Sequence, residues 1–270
     1  MPVKRTPTKP AAKKTSAKPA PARTAPRMSL AETMRALEKA GSEQTRKTYA
    51  RHGAKEPMFG VSFAALKTLM KRIRVDHDLA LRLWDTGNFD ARNLAFKVVD
   101  PARMSSADLD RWAQEPYARL CGGYVAHIAV EGAHARAKAE QWLAASDNAQ
   151  RCVAWSLVGV MAMRDETTPD AWFAARLAEI ERTIHSSPNA ERGAMNQALI
   201  AIGCRSESLR KAAVAASKRV GKVEIDHGDT ACKTPDAAEY IAKTWAHSTS
   251  KGFESPAAHE RTRESMRRRC

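Results

Sequence analysis

Hydrophobic positions recur at helical spacing along nearly the whole chain. They are densest in NAQRCVAWSLVGVMAM, residues 148–163, where Cys152, Val153, Ala154, Trp155, Leu157, Val158, Val160, Met161 and Met163 leave almost no polar face. A helix that is apolar on nearly every side is packed on several sides. This stretch therefore reads as the spine of an all-helical stack. Asn148 caps it, and Arg151, in its first turn, is its one charged exit toward a surface. Amphipathic stretches flank it on both sides. Ser29 and Glu32 form a capping box ahead of a helix that runs to about Ala40. A second helix starts at Ser42, carries Tyr49 and stops near Gly53. After the turn KEPMFGVSF, Ser62 caps a helix with Phe63, Leu66, Leu69, Met70 and Ile73 at helical spacing. Further helices start at Asp76, Asn88, Ser106, Pro116 and near 133, with Gly122–Gly123 weakening the middle of the one after Pro116. Thr168 caps a helix over 169–185 with Pro169 at its first position. Two more cover about 190–202 and 206–220, and Thr234 and Pro235 open the last, PDAAEYIAKTWAH. The only strand-like alternation is the short KVEID at 222–226.

From 63 to 220 the helices fall in consecutive pairs joined by short loops, the pairs beginning near 63, 89, 118, 148 and 189. This predicts an all-α solenoid of divergent helical repeats, with a compact irregular bundle as the competing architecture. A solenoid curves and presents a long concave face, which suits an elongated partner such as a duplex. The ordered domain is expected over 29–247. Residues 1–28, with five prolines from Pro7 to Pro26, are expected to be a disordered tail, and 248–270 a loosely ordered or helical basic tail.

Composition narrows the class. The hydrophobic share of 43% supports a substantial core, and an aromatic share of only 6% favours helix over sheet. No apolar run approaches the roughly 20 residues of a membrane span, and the N-terminus lacks the apolar stretch of a signal peptide. The five cysteines include no CxxC pair, which points to reduced thiols in a cytoplasmic protein rather than a disulfide framework or a zinc site. The net charge of +15 is uneven. Residues 1–28 hold eight basic and no acidic residues, and 248–270 hold six basic and three acidic, so the folded part is only moderately basic. Such tails attract polyanions in a salt-dependent way.

No GxGxxG, Walker A, HExxH or GxSxG motif occurs, and the eight histidines are scattered, so no cofactor and no metal is expected. The densest polar cluster is IDHGDTACKTPD at 225–236. Asp226, His227, Asp229, Cys232 and Lys233 there make an anion- or base-contacting loop, a weak metal site, or a hydrogen-bonded turn ahead of a capped helix, the last being favoured. Arg192, Arg210, Lys211, Lys218, Arg219 and Lys222 recur on the late helices. Lys211 and Lys218 are two helical turns apart on one face, which Lys222 extends, and phosphates are the natural partner of such a row.

Several segments resemble the bacterial DNA alkylation repair family of HEAT-like helical-repeat proteins. TYARHGAKEPMFGVSFAALKTLMKRI (48–73) is similar to its opening signature and LWDTGNFDARNLAFKVV (83–99) to its next helix pair. NAQRCVAWSLV (148–158) matches its Arg-bearing central helix, and GDTACKTPDAAEYI looks like the C-terminal motif of one bacterial branch. The resemblance covers roughly 30–245. It implies an α-solenoid that wraps duplex DNA in a basic concave cleft. Active members excise cationic alkylated purines as N-glycosylases, without metal or cofactor and without flipping the lesion into a pocket. A carboxylate stabilises the oxocarbenium-like sugar electrostatically. By the same resemblance Tyr49 matches an early aromatic and Arg151 the central Arg that approaches phosphate. The family's Trp, with an Asp four residues later, falls in EPYARLCGGYVAH. Tyr117 stands there for the Trp, while Cys121 or Gly122 occupies the place of the Asp. The late Trp position is Gln197. The expectation is a monomeric protein that binds double-stranded DNA in the cytoplasm, associated with the nucleoid, through Tyr49, Arg151, Arg192, Lys211, Lys218, Lys222 and Lys233. Excision of alkylated purines is left open. An enzyme would use a carboxylate from elsewhere, Asp226, Asp229 or Glu115; the alternatives are a binding module without excision chemistry and a helical-repeat protein scaffold.

Overall fold

The computed structural model describes residues 28–114 and 118–269. The described chain is built of α-helices joined by short connections: α1 Leu30–Ala40, α2 Glu43–Arg51, α3 Phe63–Ile73, α4 His77–Asp85, α5 Phe89–Val98, α6 Ser106–Gln114, α7 Ala118–Glu131, α8 Ala135–Leu143, α9 Asn148–Arg164, α10 Asp170–Thr183, α11 Asn189–Gly203, α12 Glu207–Val220, α13 Ala237–Thr249 and α14 Pro256–Arg261. Short 3-10 turns cover Pro101–Arg103 and Met266–Arg268. The one β-type pairing among the described residues is an isolated bridge between Gly41 and Val61, so KVEID forms no strand. The predicted tail at residues 1–28 lies, apart from Met28, outside the described residues.

The helices form an α-solenoid with two layers. In the inner layer α5, α7, α9, α11 and α13 pack each on the next, while α4, α6, α8 and α10 pack on the inner helices that follow them. The packed pairs are thus α4/α5, α6/α7 and α8/α9, one helix away from the pairing read from sequence, while α11 pairs with α12 as the sequence predicts. Helix α9 is the predicted spine, with Cys152, Val153, Ala154, Trp155, Leu157, Val158, Met161 and Ala162 buried between α7 and α11. It is not buried all round, because Ser156, Gly159, Val160 and Met163 remain partly exposed on one stripe.

Local chemistry sets the helix starts. Ser29, Ser42, Ser62, Asp76 and Asn88 cap as the sequence predicts, each accepting from a backbone N–H of its first turn, and Ser206 caps α12 in the same way. Three caps shift by a residue or more. Asp147 rather than Asn148 caps α9, and Asp236 rather than Thr234 caps α13. Pro169 takes the cap position of α10, leaving Thr168 to donate its hydroxyl to Asp165 at 2.5 Å. Helix α7 continues through Gly122–Gly123 without a break.

The turn KEPMFGV is held from a distance. Buried Asp90, in the first turn of α5, accepts from the backbone N–H groups of Phe59, Gly60 and Val61 at 2.6, 2.9 and 2.8 Å. Gly60 has φ +78°, and a Cβ there would lie 2.4 Å from the Ser42 carbonyl oxygen, so only glycine fits.

The C-terminal residues expected to be loosely ordered are packed into the fold. Trp245 of α13 is buried and donates to the Gly203 carbonyl at 2.8 Å, and the N–H of Ala257 donates to the Cys204 carbonyl. Helix α14 lies on α9, and the turn at Met266–Arg268 lies on α5 and α7. Arg267 is buried. It donates to the Phe96 carbonyl at 2.7 Å and pairs with Glu131 at 2.8 Å, while buried Lys97 donates to the Arg267 carbonyl at 2.9 Å. The physical reason is the end of α5, whose last carbonyls Arg267 satisfies, and the Glu131 carboxylate at the end of α7, which pairs with it.

Asp90→Ala removes one acceptor from three buried or half-buried N–H groups and is expected to lower the unfolding free energy by about 4 kcal/mol in urea titration, with Asp90→Asn costing less because it keeps one oxygen.

Candidate nucleic-acid interface

The exposed stripe of α9 is the floor of a cleft of about 840 Å³ on the inner surface. Tyr124 and His127 of α7, Trp155, Gly159 and Met163 of α9, and Gln197 of α11 line it, with Phe63 at one margin. The opposite wall is the C-terminal segment, through Glu260, Arg263, Met266 and Arg269. The stripe follows helical geometry: Ser156, Gly159, Val160 and Met163 fall at i, i+3, i+4 and i+7. Gly159 also lets α11 approach, since a Cβ there would stand 3.4 Å from Ala201.

One side of the cleft is cationic. Glu260 pairs with Arg164 at 2.9 Å, with Arg269 at closer range and with Arg263 at 3.7 Å. Three guanidinium groups around one carboxylate leave an excess of positive charge at the rim, with Arg263 side-chain exposure of 55%. Buried Lys97 adds a further cation, its Nζ 5.6 Å from the Phe63 ring centroid and 5.1 Å from that of Tyr124. His127 is buried, and its Nδ1 has no hydrogen-bond partner. Burial disfavours its charged form and depresses its pKa to about 4.

The sequence-derived candidates are placed elsewhere. Arg151 sits at the start of α9, where it donates to the carbonyls of Ala145 and Ser146 at 3.1 and 3.2 Å and pairs with Glu191 at 2.9 Å. It thus fastens the connection after α8 and neutralises a carboxylate that is only 5% exposed. Arg192 donates to the carbonyls of Glu224, Ser187 and His185, fastening the connections after α10 and α12. Tyr49 donates its hydroxyl to the Val61 carbonyl at 2.7 Å and packs edge-on against Phe63. Lys218, Lys222 and Lys233 line one hollow of about 640 Å³, and Lys211 and Lys218 line a groove between α12 and α13. Lys222 pairs with Glu224 at 2.8 Å.

In the loop at 225–236, Asp226 accepts from the N–H of Gly228, and Asn189 exchanges two 2.8 Å hydrogen bonds with the backbone of Asp226. His227 meets Thr234 at 3.0 Å. Asp229 is exposed and lines a small hollow with Arg51 and His52. None of these candidates lines the inner cleft; of the positions read from the family pattern, Gln197 does. Tyr117 and Glu115 lie outside the described residues. Among the described residues, no group of three or more His, Cys, Asp or Glu side chains is placed to hold a metal, and no helix is long and apolar enough to cross a membrane.

Sequence reasoning missed Phe63, Tyr124, His127 and Met266 as cleft residues, the Arg164–Glu260–Arg269 cluster, and Glu191. Glu191 is the buried carboxylate beside Trp155, whose Nε1 donates to it at 3.4 Å. The signal for the floor was slight: Ser156 and Gly159 interrupt the apolar surface of α9, while Val160 and Met163 beside them have the character of core residues.

The described helices thus form a two-layered α-solenoid with an apolar cleft and a cationic rim. A family model described as DNA alkylation repair enzyme matches residues 33–241, and the chain belongs to that family. Two uncharacterized proteins are similar over 217 residues, Lin0241 of Listeria innocua at 28% identity and Lmo0209 of Listeria monocytogenes at 27%, each match covering 78% of this chain and 93% of the relative. A solved structure superimposes with a TM-score of 0.74 at 32% identity, covering 82% of this chain and 95% of the other. That protein represents a new family of proteins related to the HEAT-like repeat DNA glycosylases with affinity for branched DNA structures. The family match ends at residue 241, so the segment carrying Glu260, Arg263, Met266 and Arg269 lies beyond it.

Two outcomes follow for stability. Arg151→Ala leaves Glu191 buried without its cation and is expected to cost about 3 kcal/mol in denaturant unfolding, part of which Glu191→Gln restores in the double variant. His127 takes up a proton near pH 6.5 in the unfolded chain but only near pH 4 in the folded one. Stability is therefore fully present above pH 6.5 and falls as the pH drops through that window, by about 3 kcal/mol in total. Unfolding of wild type and His127→Leu at pH 7.5 and 4.5 is expected to show the smaller acid loss in the variant.

Proposed function

We propose that this chain is a DNA-binding member of the alkylation repair family that engages double-stranded DNA through its inner surface, prefers branched structures, and does not excise bases. The observation that carries this reading is the charge arrangement of the cleft. Its rim has more guanidinium groups than carboxylates, and the carboxylates that stand there, Glu260 at the rim and Glu191 behind Trp155, are both held by arginine. A glycosylase of the family type needs an anion facing the sugar as positive charge develops. A carboxylate already paired with a guanidinium has that charge largely spent. The sequence supports the same reading, since Cys121 or Gly122 stands where the family pattern has its Asp. The branched-DNA affinity of the 32%-identical structure supports the choice of substrate.

On this reading Arg263 and Arg269 contact phosphates at the cleft. Lys211, Lys218, Lys222 and Lys233 extend the contact along α12 and the following loop, and the basic N-terminal residues add affinity without sequence preference. Arg151 and Arg192 act indirectly, by holding the connections after α8 and α10. The protein works as a monomer in the cytoplasm, at the nucleoid.

The test compares a four-way junction with a linear duplex of equal length, by fluorescence anisotropy over a salt series, alongside base release from alkylated duplex. The junction is expected to bind at least tenfold tighter, with no release of methylated purine. Arg263→Ala is expected to weaken binding and lower the salt slope by about one. Release of methylated base that Glu191→Gln abolishes would instead establish excision, with Glu191 as the relocated carboxylate.

A further inference from the structure

Among the described residues, the exposed large hydrophobic side chains are Phe63, Val75, Tyr240 and Met266. Two of them, Phe63 at 42% and Met266 at 56% exposure, face the same cleft. They come from opposite ends of the chain, α3 and the turn after α14, and are brought to one place by the packing of the C-terminal segment. Exposed apolar side chains cost stability unless a partner covers them, and two converging on one concave site mark it as a binding site.

The occupant is defined by what surrounds these residues. Phe63 and Tyr124 supply aromatic rings and Met163 and Met266 polarizable thioethers, surfaces that suit a flat aromatic group. His127 supplies a buried ring nitrogen without a partner. Arg263 and Arg269 provide cationic donors at the rim, with Glu260 taking up only part of their charge. A flat ring joined to an anion is the chemistry of a nucleotide, and a cleft of about 840 Å³ has room for one. A paired base within a duplex reaches such a site only by giving up its pairing and stacking, whereas a base already unpaired at a branch gives up far less.

We infer that this cleft receives one unpaired nucleotide from the branch point of a DNA junction, its base against Phe63, Tyr124 and Met266 and its phosphate at Arg263 and Arg269. The inference rests on the DNA-binding reading above and supplies a cause for branch preference. A junction with an unpaired base at its branch point offers an unstacked base that a linear duplex lacks, and base–aromatic stacking contributes affinity without regard to sequence. Met266, Arg263 and Arg269 lie outside the span 33–241 that the family model matches. The segment is positioned by Arg267 on the α5 carbonyls and by Lys97, which donates to Arg267 and lies against the Phe63 and Tyr124 rings.

The test uses the full chain and a three-way junction with 2-aminopurine at an unpaired branch-point position. Controls are a fully paired junction and a linear duplex carrying the same probe. Binding is expected to change the probe's fluorescence in the first DNA alone. Phe63→Ala combined with Met266→Ser is expected to abolish that change and to reduce the junction-to-duplex affinity ratio about tenfold. Met266→Ser alone, at an exposed position, is expected to reduce the ratio about threefold, which guards against a folding defect in the double variant. Unaltered probe fluorescence on binding, or an unaltered affinity ratio in both variants, overturns this inference while leaving DNA binding in place. Failure of the wild type to bind any of the three DNAs overturns both readings.

Discussion

Helix C-termini present carbonyls with no partner in their own helix, and a stack of short helices multiplies these ends. This chain meets that constraint with guanidinium groups. Arg151 and Arg192 bind carbonyls of the connections just beyond α8 and α10, while Arg205 closes α9 through the carbonyls of Met161, Ala162 and Asp165, and Arg267 closes α5. Arg164 does the same for α14 from the end of α9. Each such arginine reaches from one helix or segment to the end of another, so the bond that satisfies a carbonyl also fixes the position of one repeat on the next. The relative placement of the helices, and with it the inner surface, depends on these contacts.

The same constraint divides the positive charge into two kinds. Guanidinium groups spent on carbonyls and buried carboxylates contribute little to an external field. Those left at the rim, Arg263 and Arg269 with Arg164 behind them, share one carboxylate among three and keep charge to offer. The row on α12 and the loop after it is exposed but lies on a separate surface from the apolar cleft.

Packing on both sides of α9 gives the cleft its floor. Because α7 and α11 bury two flanks of α9, the remaining stripe is where a ligand can lie, and its small residues keep it open. The C-terminal segment then builds one wall. That wall is built from residues outside the span 33–241 that the family model matches.

The helices and most of their caps were legible in the sequence because they depend on residues within four positions of one another: Ser29 with Glu32, Asn88 with the N–H groups of Asp90 and Ala91. The all-helical class and the burial of α9 were legible for the same reason, since apolar periodicity is a local pattern. What each charged residue does was not. Arg151 finds Glu191 forty positions on, Asp90 holds a turn thirty back, and Arg267 reaches the carbonyl of Phe96 across 171. An arginine on a predicted helix face carries no mark of whether it will meet a phosphate or a carbonyl. The sequence alone determined that this chain is a stack of capped helices with a buried spine. The tertiary structure decided which cations remain free, that the C-terminal residues belong to the fold, and that Phe63 and Met266 share one cleft, because each of these is a contact between segments that only packing brings together.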